Sequence, residues 1–169
     1  MPKKILIVDD FPVFREGLKA LLSNVASLEV IGEAENGQIA VTKTNLLRPD
    51  LILMDLVMPV LNGIDATRSI KQLYSDIKVL ALTEQKSHDQ AMAAMAAGAN
   101  GYILKQDTTT NLFSAIECVL NGDVYQSSGV SDKVVSGSQA NGVSIDNRSL
   151  WRKSTSRGRK CLSESDKKT

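Results

Sequence analysis

The chain has 169 residues, enough for one buried core with a short appendage and too few for two ordinary domains. Its net charge of +1 hides a division: residues 1–126 carry 11 basic against 15 acidic side chains, a net −4, whereas residues 127–169 carry 9 against 4, a net +5. No apolar run reaches membrane length, the start MPKKILIVDD is too short in apolar residues for a signal peptide, and Cys118 and Cys161 alone make no metal set. A soluble, cytoplasmic protein in a reducing compartment, with no membrane partner, is expected.

From the N-terminus, apolar bursts alternate with longer stretches of helical period. The bursts are Ile5 to Val8, Leu28 to Ile31, Leu51 to Met54, Val79 to Leu82 and Tyr102 to Leu104. Between them the pattern predicts helices near 12–24, 37–47, 63–73, 87–97 and 109–121; Phe14, Leu18, Leu21 and Leu22 mark one face of the first, and Leu112, Ile116, Val119 and Leu120 one face of the last. Gly98 and Gly122 follow the fourth and fifth helices, where a positive φ ends a helix at no steric cost. Five strands that read as unbroken apolar runs, each followed by a helix, predict a doubly wound α/β fold with a parallel sheet buried on both faces.

After Asn121-Gly122 the pattern fails. Residues 127–169 hold 11 serines and ten scattered apolar residues, so this basic, Ser-rich tail is expected to be disordered or a degenerate output segment appended to a domain of residues 1–126.

In such a sheet, ligands bind beyond the C-terminal strand ends. Asp9 and Asp10 end the first strand, Asp55 the third, Thr83 the fourth and Lys105 the fifth, which sets five polar side chains on one rim. Any one of these aspartates alone reads equally well as a helix cap. Three carboxylates together repel unless a cation offsets them, and Mg²⁺ suits an all-oxygen set that leaves room for water and phosphate. A carboxylate so held is a nucleophile that needs no base, able to attack phosphorus and form an acyl phosphate, with Lys105 and the Thr83 hydroxyl facing the transferred oxygens.

DD at 9–10, DLVMPVLNG at 55–63, VLALT at 79–83 and GANGYILK at 98–105 resemble the receiver domain of two-component response regulators, over about residues 3–124. Phe11-Pro12 and EAENG at 33–37 resemble the subfamily that continues into a LuxR/FixJ-type helix-turn-helix. The resemblance implies a flavodoxin-like (βα)5 fold with strand order 2-1-3-4-5. It implies Asp55 as phosphoacceptor, with Mg²⁺ on the side chains of Asp10 and Asp55 and the carbonyl of Val57. Asp9 would help position the metal, Lys105 would contact the phosphoryl group, and Thr83 and Tyr102 would be the switch residues. The donor would be a histidine kinase or phosphotransfer protein. The chain would not be an enzyme beyond slow self-catalysed phosphorylation and dephosphorylation. Thr83 is expected to move toward the phosphoryl group, letting Tyr102 turn inward and altering the face of the fourth helix, fifth strand and fifth helix. Met92, Met95 and Ala96 would offer that face to a partner or to a second copy as a homodimer. Glu84 stands where the family more usually has a small residue, which would narrow access to the site.

Three other readings are open to test. A Mg²⁺-dependent phosphohydrolase of haloacid-dehalogenase type would need an aspartate two positions after its nucleophile on the first strand, where this chain has Phe11. A nucleotide-binding fold would need a glycine-rich phosphate loop, and neither GxGxxG nor GxxxxGK[ST] occurs. A transcriptional regulator that keeps only its receiver and a basic tail would meet DNA through RKSTSRGRK at 152–160 beside Trp151; a solvated tail is the plainer reading of that run.

Overall fold

The computed structural model describes residues 1–84 and 88–127, together with the backbone of 160–162. Strands β1 (Lys3–Val8), β2 (Leu28–Ala34), β3 (Leu51–Asp55), β4 (Lys78–Thr83) and β5 (Gly101–Leu104) alternate with helices α1 (Pro12–Leu22), α2 (Gly37–Leu47), α3 (Gly63–Leu73), α4 (His88–Ala96) and α5 (Thr108–Leu120). All five expected strands and helices are present. The strands pair in parallel in the order β2-β1-β3-β4-β5.

The sheet does not stop there. β6 (Val124–Gln126) adds in parallel to β5, with Gly101 opposite Tyr125, and β7 (Lys160–Leu162) adds to β6, so seven strands replace the expected five. The strand at 160–162 lies within the basic, Ser-rich segment and pairs with β6. The remainder of the proposed tail, 128–159 and 163–169, lies outside the described residues, as do 85–87.

Alternation along each strand divides the core in two. Leu6, Val8, Ile52, Met54, Val79, Ala81, Tyr102 and Leu104 face α2, α3 and α4 with Ala40, Ala66, Ile70 and Ala94. Ile5, Ile7, Leu51, Leu53, Leu80, Leu82 and Ile103 face α1 and α5 with Leu18, Leu22, Leu112, Ile116 and Val119. Both faces of each central strand are therefore dry, which is why the sequence runs apolar without alternating. Each of Leu51, Ile52, Leu53 and Met54 is fully buried, and burying a side chain of this kind contributes about 1.5–3 kcal/mol.

Helix ends follow from local chemistry. Asn36 caps α2 by accepting from the Ile39 amide at 2.9 Å, and Asn62 caps α3 by accepting from Asp65 N–H at 2.9 Å. Pro12 opens α1 at a position whose amide has no helical partner. Gly98 and Gly122 lie at φ 109° and 90° after α4 and α5, the left-handed conformation expected of them. Among the described residues no helix is long and apolar enough to cross a membrane. Cys118, buried on α5, is disulfide-bonded.

Candidate functional site

The C-terminal ends of β1, β3, β4 and β5 converge. Parallel pairing places Val8 opposite Met54, Asp55 opposite Leu82 and Thr83 opposite Leu104, so the residues that follow emerge on one rim. Asp9, Asp55 and Thr83 are buried and Asp10 is half-buried. Lys105, the first residue of a single 3₁₀ turn (Lys105–Asp107), reaches back across the rim.

Lys105 Nζ lies 2.6 Å from Asp9 Oδ2, 3.1 Å from Asp55 Oδ2 and 3.8 Å from Glu84 Oε1. It also stands 4.8 Å from the ring centroid of Phe14 and 5.8 Å from that of Phe11, where the aromatic faces favour a cation. Burial works against its charge, but its hydrogen bond to Asp9 and the charge of Asp55 outweigh this and raise the ammonium pKa above the usual lysine value.

Neither Asp9 nor Asp55 is a helix cap. Asp9 Oδ1 accepts from Phe11 N–H at 2.8 Å, Asp55 Oδ1 accepts from Val57 N–H at 3.2 Å, and the N-cap positions of α1 and α3 are Phe11 and Asn62. Those bonds turn one oxygen of each carboxylate into its own loop and leave the other facing inward. Burial raises the Asp55 carboxyl to about 6; Lys105 opposes that shift and the Asp9 charge reinforces it.

Each of Asp9, Asp10 and Asp55 offers one oxygen, and these atoms lie within 4.8 Å of one another. Asp10 Oδ1 is buried and, among the described residues, has no hydrogen-bond partner. An orphaned carboxylate oxygen beside two others is costly unless a cation meets it, so the residues present fit a hard divalent ion. A cavity of about 160 Å³ opens over this point, lined by Asp10, Phe11, Asp55, Val57, Glu84 and Gln90.

Thr83 is not among those lining residues. Its hydroxyl lies 3.5 Å from Gln90 Oε1 on α4, at the edge of hydrogen-bonding distance. Tyr102, on the α4 side of the sheet, is only 4% exposed and its burial pushes the phenol up to about 12. On α4, Met95 packs half-buried against the core, Met92 is half-buried and Ala96 exposed, a mild outer face.

Three contributors were not foreseen from the sequence. Arg15 donates to the Asp9 carbonyl at 2.7 Å while its Nε meets Glu33 at 3.0 Å, which ties α1 and β2 to the loop carrying the acidic pair. Gln90 enters from α4, with no sequence signal beyond its nearness to the fourth strand. Gly63 is the third: it closes the loop after Asp55 by donating to the Leu56 carbonyl at 3.1 Å, an approach that a Cβ would block.

Residues 5–117 match the response regulator receiver domain family. The transcriptional regulatory protein DegU of Brevibacillus brevis is 38% identical over 122 residues, covering 72% of this chain and 52% of that protein. The transcriptional regulatory protein YdfI of Bacillus subtilis is 40% identical over 121 residues, covering 72% and 56%. The chain thus spans about half the length of the curated relatives it matches. Among solved structures, a two-component response regulator of the LuxR family from Aurantimonas sp. SI85-9A1 superposes with a TM-score of 0.69 at 34% identity, covering 72% of this chain and 87% of that one. The response regulator domain of Thermotoga maritima CheB gives 0.66 at 28%, covering 72% and 98%. With its parallel sheet, its rim of three aspartates and a lysine, and a family match over two thirds of its length, the chain belongs to the response regulator receiver domain family.

Proposed function

We propose that this chain accepts a phosphoryl group on Asp55 from a protein phosphohistidine, a histidine kinase or a phosphotransfer protein, in a two-component relay. The observation that carries the reading is the position of Asp55: a buried carboxylate with one oxygen held by Val57 N–H and the other facing Lys105, beneath a small cavity open to solvent. Its attacking oxygen arrives without a proton to remove, so no general base is required. As the bond to the donor nitrogen breaks, the phosphoryl oxygens gather charge, and Lys105 is the ammonium placed to meet it.

Asp10 and Asp55, with the Val57 carbonyl, would hold Mg²⁺, and Asp9 would orient its water. Bound there, the cation would offset the three carboxylates and draw a phosphoryl oxygen toward Asp55. The protein would turn over no separate substrate, beyond slow self-catalysed phosphorylation and loss of the phosphate.

Thr83 is close enough to Gln90 that moving its hydroxyl toward a phosphoryl oxygen would change its contact with α4. The face of α4, β5 and α5, which carries Tyr102, is where a partner or a second copy would read that change. The relatives DegU and YdfI are transcriptional regulatory proteins, which extends the reading to control of transcription, with this chain carrying the receiver portion of such a regulator. Salt-dependent binding of random DNA by the full chain, lost on removing 127–169, would support a role of the tail in it.

Intact-mass measurement after incubation with acetyl phosphate and Mg²⁺ tests the central reading. A labile phosphate adduct is expected on the wild type and not on Asp55→Asn; a wild type that stays unlabelled, or an adduct that survives the substitution, overturns it.

A further inference from the structure

Among the described residues, Glu84 is the one charged residue at the cavity mouth that the proposed phosphoryl chemistry does not use. It directly follows Thr83, its side chain is 67% exposed, and it lines the cavity over Asp55 as well as the larger apolar groove between α1 and α5. Its nearest cation among the described residues is Lys105, at 3.8 Å, an ammonium already held closer by Asp9 and Asp55. Glu84 is thus the weakest of three claims on one charge, and most of its own charge faces solvent at the entrance.

The charge balance gives that placement a consequence. Three carboxylates, one ammonium and a divalent cation sum to a neutral inner site. Glu84 brings one negative charge to the entrance, while the other described residues at the opening, Phe11, Val57 and Gln90, carry none. A free acyl phosphate approaches as a small dianion and meets this carboxylate at the opening over Asp55. A protein donor approaches as a surface, can set a cation against Glu84, and offsets the same repulsion with its other contacts.

We infer that Glu84 is a specificity-determining residue, an anionic gate that disfavours small anionic phosphodonors and so reserves Asp55 for a protein-bound phosphohistidine. The inference rests on Asp55 being the phosphoacceptor. In the reaction gated, an Asp55 oxygen bonds phosphorus as the bond from phosphorus to the acyl oxygen breaks, and the carboxylate of the donor leaves with that electron pair. Glu84 touches none of the reacting atoms; it acts on the approach.

The test measures initial rates of adduct formation by intact mass on the full chain at saturating Mg²⁺, for wild type, Glu84→Gln and Glu84→Lys. The Gln variant keeps the shape and removes the charge. With acetyl phosphate at low salt, Glu84→Gln should label faster on the order of three- to tenfold, and Glu84→Lys faster still. With phosphoramidate, which carries less negative charge, the gain should be smaller. Both gains should vanish near about 1 M salt, where the screening length is about 3 Å. Equal rates for wild type and Glu84→Gln at low salt, or a gain that salt leaves untouched, overturn the gate while leaving Asp55 as phosphoacceptor. If no protein labels with either donor, the phosphoacceptor reading fails and the gate with it.

Discussion

Lys105 and Asp9 form the closest ion pair of the site, with Nζ 2.6 Å from Oδ2 and side chains 9% and 0% exposed. Because the same ammonium also meets Asp55, it holds three strand ends together as well as facing a phosphoryl group. Replacing it by methionine keeps the stem that packs near Phe14 but leaves buried carboxylates facing one another. Breaking a buried pair in this way costs about 3–5 kcal/mol. Lys105→Met should therefore lower stability in urea by about that amount without metal. Mg²⁺ should restore more stability to the variant than it adds to the wild type, because the two cations serve the same oxygens. Equal metal-induced stabilisation of both proteins would contradict this shared role.

Asp55 gives the pH dependence. Its folded pKa, raised to about 6 by burial, stands above the reference value of 3.8, so the folded state binds its proton more tightly than the unfolded chain does. Stability from this group is complete below about pH 4 and is lost as pH rises through 6. Each pKa unit corresponds to about 1.4 kcal/mol, and with Lys105 still present Asp55→Asn should gain about 1–3 kcal/mol over the metal-free wild type at pH 7.5. Urea unfolding at a series of pH values should show the advantage shrinking toward pH 4. A constant difference across that range would mean that the gain comes from packing and not from ionisation.

Much of this architecture is legible in the sequence because both causes are local. Runs such as Leu51 to Met54 are apolar on both faces, so they announce a buried parallel strand, and Asn36 and Asn62 stand where the helices begin. Asp9, Asp10, Asp55 and Lys105 are legible as site residues since each follows a readable strand, and strand ends in a parallel sheet share a rim. β6 was not, because three residues carry no period; it pairs only where Gly101 lets Tyr125 approach the backbone of β5. Nor was the reach of Arg15 to the Asp9 carbonyl, which depends on a rotamer.

Gly63 and Gly17 offer a matched contrast. A Cβ on Gly63 would overlap the Asp55 carbonyl oxygen and stand 2.9 Å from Leu56 Cα, both backbone atoms that cannot swing aside. A Cβ on Gly17, exposed on α1, meets nothing within 4 Å. Gly63→Ala should lose about 1–3 kcal/mol, the range for overpacking that forces backbone shifts, and should slow phosphate labelling because the displaced backbone carries Asp55. Gly17→Ala should gain about 0.5–1 kcal/mol from helix propensity alone, with labelling unchanged. Denaturant midpoints and adduct rates for the pair check this; labelling of Gly63→Ala at the wild-type rate would show that α3 can retreat without moving the phosphoacceptor.

Val60 carries the clearest local strain. In the loop after Asp55 it lies at φ 70°, a left-handed conformation in which a β-branched side chain crowds its own backbone, and it is 83% exposed. Burial in the chain therefore returns little for a conformation that costs an L-residue about 1–2 kcal/mol. Asparagine tolerates this region and, unlike glycine, adds little freedom to the unfolded chain. Val60→Asn should raise stability by about 1 kcal/mol, whereas Val60→Ile, equally branched, should leave it within about 0.5 kcal/mol of wild type. If both substitutions stabilise alike, the backbone strain is not what limits this loop. If Val60→Asn destabilises, the valine side chain makes contacts whose value exceeds the strain.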